Sequence, residues 1–295
     1  MRLERIVTLA NQSVRLRFLA MERSLRAVGC ELPLWVIPYD DSERFALPSG
    51  SEWWEMPEMS AWLRGWRTHP TMRKYQCLTI AGYQFVDSDL VFLRNPAQVL
   101  ENVSDFITSC GHWHAPDQTT TEESGKYIRA KSTTWQKLVF NTGQWACDRI
   151  LFTFDELKRR AEGENFRSTC LTLPFNEQPG LDLLVNSTDV PIHNLTLPPY
   201  NMQSTWAGDY DGEYRGFWRT EQETPYLIHW AGVAMEKPRP INELFYQYLS
   251  QPERREWDHW VKAAATRFSK RDRSLRSRLR RVRRGSSMFW HEITK

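Results

Sequence analysis

Asp87 and Asp89 stand two residues apart inside the otherwise apolar run Tyr83-Gln84-Phe85-Val86-Asp87-Ser88-Asp89-Leu90-Val91-Phe92-Leu93. In extended backbone, residues i and i+2 face the same side, so the two carboxylates point one way, close enough to share a divalent cation. Apolar flanks hold them where burial is costly without a cation partner. His229 ends a second apolar run, Tyr226-Leu227-Ile228-His229-Trp230, followed by Ala231-Gly232. A lone strand histidine is commonly a core residue. In a parallel sheet, however, strand C-terminal ends gather along one edge, which would bring His229 to the acid pair. Two oxygens and an imidazole suit Mn²⁺ or Mg²⁺ better than a thiolate-seeking metal. The loop pair His112 and His114 has no further ligands nearby, so acceptor contact or loop packing is the first reading for it.

The elements that must position these groups follow from the apolar pattern. Arg5-Ile6-Val7-Thr8-Leu9-Ala10-Asn11 predicts a buried strand ending in polar residues. Leu16, Leu19, Ala20, Arg23, Ala27 and Val28 fall at helical spacing, with Gly29 where a C-terminal cap belongs. Leu32 to Asp41 predicts a second strand closing on Asp40 and Asp41, and strand, helix, strand makes a right-handed βαβ unit in a largely parallel sheet. A loop with a short helix over 54–67, a helix over Thr71–Ala81, a polar loop over Cys110–Ser132, an apolar-to-polar strand over Leu138–Gly143 and a helix over Leu151–Glu162 complete the body.

The 295 residues are 41% hydrophobic and 25% charged, with 14 tryptophans, which excludes wholesale disorder. No run reaches the roughly 18 apolar residues of a membrane-spanning helix, and the N-terminus has no signal-peptide core, so a cytoplasmic protein is expected. Five widely spaced cysteines without C-x-x-C read as buried free thiols. No G-x-G-x-x-G or P-loop is present. Ten basic residues against Asp272 give +9 between Arg267 and Arg284, so with +3 overall the remainder carries −6. With Phe268, Leu275, Leu279 and Val282 among the arginines, this tail reads as a basic helix for an anionic membrane surface, ahead of nucleic acid or a solvated segment.

The order of Val7-Thr8-Leu9-Ala10-Asn11, Pro33-Leu34-Trp35-Val36-Ile37, Phe85-Val86-Asp87-Ser88-Asp89, Phe140-Asn141-Thr142-Gly143, Glu177-Gln178-Pro179 and His229-Trp230-Ala231-Gly232 resembles nucleotide-sugar glycosyltransferases of the A-type fold, most of all the retaining family 8 group. The resemblance covers residues 5–240. It implies that Asp87, Asp89 and His229 hold the metal, with Asp87 also facing the donor ribose. Thr8, Ala10 and Asn11 would line the nucleotide pocket, and Gly232 and Lys237 would contact the diphosphate, although the family spaces that glycine and lysine more closely. Arg73 or Lys74 would reach the donor sugar or phosphate. Asn141 and Glu177 would lie around the transferred sugar, with Asp182 a rival where the family often has aspartate.

The expectation is therefore an α/β catalytic domain over residues 1–262, with a mostly parallel central sheet, and a basic helical tail over 263–295. The activity would be metal-dependent sugar transfer from a nucleoside diphosphate sugar, UDP first, to a glycan or glycolipid hydroxyl. A nucleotidyltransferase or sugar-nucleotide hydrolase using the same acids is the rival, and a non-catalytic nucleic-acid-binding protein the further one.

Overall fold

The computed structural model describes residues 1–42, 44–172, 176–210, 212–235 and 237–263. By its contacts the chain divides into two units, Met1–Tyr248 and a second beginning at Leu249. In the second, residues 251–263 are helical and the rings of Trp257 and Trp260 lie 5.1 Å apart. The arginine-rich segment expected as a membrane-facing helix, Arg267–Arg284, lies outside the described residues. Among the described residues no helix is long and apolar enough to cross a membrane.

Among the described residues the first unit has nine strands: β1 Arg5–Ala10, β2 Leu34–Pro38, β3 Ser51–Trp53, β4 Tyr83–Asp87, β5 Leu90–Phe92, β6 Phe106–Thr108, β7 Gln144–Cys147, β8 Ile192–Asn194 and β9 Leu227–His229. Seven form one sheet in the order β3-β2-β1-β4-β7-β6-β8, and β5 pairs with β9 in a separate two-stranded ribbon. In the large sheet only β7 runs against the others, antiparallel to both β4 and β6. The expected mostly parallel α/β sheet is what the chain forms.

The β-branched and apolar composition of β1 suits a strand covered on both faces. Val7 and Leu9 enter one core with Tyr75, Phe85 and Trp145, whereas Ile6 and Ala10 enter the other with Phe18, Met21 and Leu25 of the helix Arg15–Ala27. Phe85 and Trp145 stack at 4.3 Å across the β4–β7 pair. Burial of such side chains stabilises by roughly 1.5–3 kcal/mol each. From β1 the chain moves outward to β2 and β3, then returns to place β4 on the other side of β1. That reversal of strand order puts a crevice at the carboxyl ends of β1 and β4, where the register sets Leu9 beside Asp87.

Several local expectations are corrected. The single strand foreseen over Tyr83–Leu93 is two strands in two sheets. Asp87 still bonds inward, its N–H donating to Gly143 O at 2.7 Å, but Asp89 O already accepts from Trp230 N at 2.9 Å. The break falls at the acid pair because a strand buried on both faces has no place for two carboxylates. His229 accordingly sits on the ribbon, opposite Leu90, rather than in the parallel sheet. Asn141–Gly143 precedes a strand instead of ending one: a 3-10 turn covers Trp135–Leu138 and β7 starts at Gln144.

The Thr71–Ala81 helix is a 3-10 helix over Pro70–Thr79, and the helix of 54–67 is confined to Pro57–Gly65, with Pro57 opening it and the unforeseen β3 just before. The helix expected from Leu151 starts at Phe154, capped by Thr153. The polar Cys110–Ser132 loop contains the helix Glu122–Arg129. Its capping box is reciprocal, Ser124 N donating to Thr121 Oγ1 at 3.1 Å and Thr121 N to Ser124 Oγ at 2.9 Å.

Candidate active site

Two hollows open at the carboxyl ends of β1 and β4. One, of about 580 Å³, is bounded by Leu9, Arg17, Tyr39, His69, Lys74 and Ser88 among others. The second, of about 400 Å³, is bounded by His112, Asn141, Gly143, Trp206, His229 and Gly232 among others. Asp87, Asp89, Asn176 and Glu177 border both, so the chambers meet at the acid pair. A third hollow, about 650 Å³ beside the helix Phe154–Glu162, shares none of these residues.

The ribbon delivers two of the three metal-competent groups. Pairing of Leu90 with His229 sets the imidazole beside Asp89, with Nε2 3.1 Å from Asp89 Oδ1 and 3.8 Å from Asp87 Oδ2. The ligand atoms of Asp87, Asp89 and His229 all lie within 4.8 Å of one another. Burial pushes the Asp89 carboxyl up, but the charge and hydrogen bond of His229 outweigh it and bring it down to about 2. Burial lowers His229, yet Asp89 and Asp87 together raise it above its ordinary value. Burial raises Asp87, and repulsion from Asp89 adds to that against the pull of Lys74. A positive charge is thus favoured between two carboxylates, which is the electrostatic demand a divalent cation would meet with this O, O, N donor set.

Gly143 closes the back of this cluster. A Cβ there would fall 2.0 Å from His229 Cε1 and 2.8 Å from Asp87 Oδ2, so only glycine leaves room for the three ligands. The site residues fit a divalent metal.

Lys74 anchors the sheet side. Only 2% of its side chain is exposed; its Nζ donates to Asp87 Oδ1 at 2.8 Å, Glu177 Oε1 at 2.6 Å and Thr142 O at 3.1 Å. Burial alone would lower it, but the two carboxylates raise it, and Lys74 in turn holds Glu177 below its ordinary value against burial. Gln178 is fully committed: its Oε1 accepts from Thr142 N at 2.9 Å, and its Nε2 donates to Phe140 O at 2.6 Å and Asp182 Oδ2 at 3.0 Å. Asn141 Oδ1 accepts from Gly143 N at 2.8 Å, leaving the amide nitrogen as the group available to a ligand.

The structure brings Asp87, Asp89, His229, Lys74, Glu177, Asn141 and Gly232 around the two chambers. Of the pair Arg73 and Lys74, only Lys74 borders them. Arg73 turns away to donate to Pro38 O at 3.0 Å and to pair with Asp41. Thr8 and Ala10 are fully buried in β1 just behind the crevice, and the Thr8 hydroxyl has no hydrogen-bond partner. Asn11 caps the next turn through Ser13 and donates to Asp40 Oδ2 at 2.9 Å. Asp182 is fully buried, accepting from Phe140 N and Gln178, and borders neither chamber. Lys237 is exposed and also borders neither.

Sequence reading passed over Tyr39, His69 and above all Trp206. Nothing in Ser204-Thr205-Trp206-Ala207-Gly208 separates a wall tryptophan from a packing one; only the pairing with His229 reveals it.

The α/β sheet, with its crevice at the β1–β4 switch point and a D-x-D group able to hold a metal at its mouth, has the fold of solved A-type glycosyltransferases. Solved structures agree. The bifunctional glycosyltransferase WbbM, in its apo form, superposes with a TM-score of 0.56 at 12% identity, covering 89% of this chain and 51% of its own, so this chain spans about half the length of WbbM. The galactosyltransferase LgtC, solved with donor and acceptor sugar analogues, superposes with a TM-score of 0.50 at 13% identity, covering 85% of this chain and 99% of its own. No protein-family model and no curated protein matches the sequence.

Proposed function

We propose that this protein is a metal-dependent glycosyltransferase that moves a sugar from a nucleoside diphosphate sugar, UDP-linked in the first instance, to a hydroxyl of a glycan or lipid-linked acceptor, with retention. The observation that carries the reading is the pair of chambers sharing one metal-competent acid cluster, one room for each substrate of a transfer. The catalytic domain is taken as residues 1–262, with the basic tail over 263–295 drawing the enzyme to anionic lipid. Liposome flotation of the full chain against a 1–262 truncation tests the tail, and equal recovery would remove it from the proposal.

The nucleoside occupies the first chamber, between Leu9, Tyr39 and His69, and the transferred sugar lies toward Asn141 and Glu177. Asp87, Asp89 and His229 would hold Mn²⁺ or Mg²⁺, which when bound supplies charge neutralisation for a departing diphosphate. Gly232 is assigned to the diphosphate and Thr8, Ala10 and Asn11 to the nucleotide floor, whereas Lys237, exposed and outside both chambers, is given no contact. Lys74 keeps Glu177 ionised and fixed, so its carboxylate stabilises developing positive charge at the sugar without moving. Asn141 contributes its amide nitrogen on the opposite side. The committed bonds of Gln178 and Asp182 hold Phe140 and Thr142, and through them the Asn141 turn, in place.

The test is a thermal-shift panel of UDP, GDP, CDP and ADP with and without Mn²⁺ on the wild type and Asp89→Asn. Stabilisation by one diphosphate that needs both the metal and Asp89 is expected. No shift with any diphosphate would overturn the reading, and release of pyrophosphate from a nucleoside triphosphate would replace it with a nucleotidyltransferase.

A further inference from the structure

Among the described residues, Trp206 is the large exposed apolar side chain that borders the reaction chamber. The residue is 38% exposed although nothing about its setting is loose. Nε1 donates to Ala231 O at 2.8 Å, and its backbone forms a bridge with His229, whose N–H donates to Thr205 O at 2.8 Å. One side of the six-membered ring lies on Gly208, where a Cβ would come within 2.5 Å of the ring carbons. The indole is therefore clamped by its N–H, its backbone and a glycine floor, and what remains open is an apolar face directed at solvent.

A rigid, hydrogen-bond-satisfied aromatic face left exposed costs solvation in the free protein, and its natural use is to be covered by a ligand without further ordering. The rest of the chamber wall is polar, with His112, Gln118, Thr119 and Asn141. One apolar platform in a polar ring matches a molecule with one C–H face and a rim of hydroxyls. An open-chain polyol presents no such face. Resting on the transferase reading above, we propose that Trp206 is a specificity-determining residue of the acceptor subsite, and that the acceptor is a pyranoside stacked by its apolar face on this indole. Pairing of Trp206 with His229 keeps the stacked sugar beside the metal cluster, so a hydroxyl at its edge reaches the donor sugar in the same chamber.

The experiment is ligand-observed saturation-transfer NMR with methyl β-D-galactopyranoside and methyl α-D-glucopyranoside, with sorbitol as the open-chain control, on the full chain with UDP and Mn²⁺. Wild type, Trp206→Phe and Trp206→Ala are compared, each checked by thermal melting so that a folding defect is seen as such. Saturation confined to the protons of one pyranoside face is expected in the wild type, retained in Trp206→Phe and about tenfold weaker in Trp206→Ala, with no signal from sorbitol. Absence of saturation in the wild type, equal signal in Trp206→Ala, or equal signal from sorbitol would overturn the proposal. Because the same samples report UDP and Mn²⁺ stabilisation, loss of acceptor contact with donor binding intact refutes the platform alone, whereas loss of both refutes the transferase reading.

Discussion

The two aspartates of the acid pair belong to structures of different strength. Asp87 ends β4 in the middle of a seven-stranded sheet, tied to Gly143 through its backbone and to Lys74 through its side chain. Asp89 immediately precedes, and His229 ends, a strand of a two-stranded ribbon of three-residue strands, a motif that is marginal on its own. The ribbon persists here because Leu90, Phe92 and Leu227 are buried in the core shared with the first helix, and because Phe92 N donates to Ser24 Oγ at 2.9 Å. The candidate metal cluster therefore spans a seam, with a buried charge network on one side and a small apolar anchor on the other. Substitutions on the two sides should fail in different ways: by unfolding on the sheet side, by lost ligand response on the ribbon side.

The largest effect is expected from Lys74→Met. It leaves the half-buried Asp87 and the buried Glu177 without their shared cation, and removing one partner of such a network costs about 3–5 kcal/mol. Urea unfolding should show the loss without any ligand present; a change under about 1 kcal/mol would mean the network is wetter and weaker than its geometry indicates. Gly143→Ala strikes the seam itself. Its new methyl collides with His229 and Asp87, so a stability loss of about 1–3 kcal/mol is expected together with loss of the Mn²⁺-dependent response to diphosphate. Retention of that response would show that the two sides part more easily than this packing allows.

Asp89→Asn keeps the shape but removes a charge on the ribbon side. A smaller stability loss of about 1–2 kcal/mol, reflecting the weakened bond to His229, should accompany complete loss of Mn²⁺-dependent stabilisation by diphosphate. Differential scanning fluorimetry of the metal-free and metal-loaded forms reads both. If Asp89→Asn unfolded the protein as Lys74→Met does, the contrast between the sides would collapse.

The same contrast marks what could be read from sequence. β1, β2, β4 and the helix between the first two were legible because long apolar runs and helical spacing are local signals, and the acid pair stood out against its flanks. The ribbon was not legible. Its strands lie far apart in the chain, each of three residues, and their pairing follows from burial rather than from any propensity. His229 does lie beside Asp87 and Asp89, but by a different route from the one expected, since an antiparallel ribbon does what a parallel sheet edge was expected to do. Arg73 and Lys74 could not be told apart because a 3-10 helix turns adjacent residues about 120° from one another, one toward Asp41 and the other toward Asp87. The Glu122–Arg129 helix hid in a polar run because its start is fixed by Thr121 and Ser124 capping, not by apolar periodicity.

Asp182 offers the smallest and most specific test of the sheet side. It lies fully buried behind the Asn141 turn, and burial raises its carboxyl well above the ordinary value even though Phe140 N and Gln178 donate to it. A carboxyl whose folded pKa exceeds its unfolded value makes its full contribution to stability below the unfolded value, about 3.9, and loses it as pH rises toward the folded one. Asp182→Asn removes that titration. Any cost of the amide beside Gln178 is nearly constant with pH, so the informative quantity is the slope. The difference in unfolding free energy between variant and wild type should move in the variant's favour as pH rises from about 4 to 7. A difference that is flat, or moves the other way, would mean that Asp182 is folded as an ordinary carboxylate and that the turn carrying Asn141 is held by charge rather than by a buried, protonated acid.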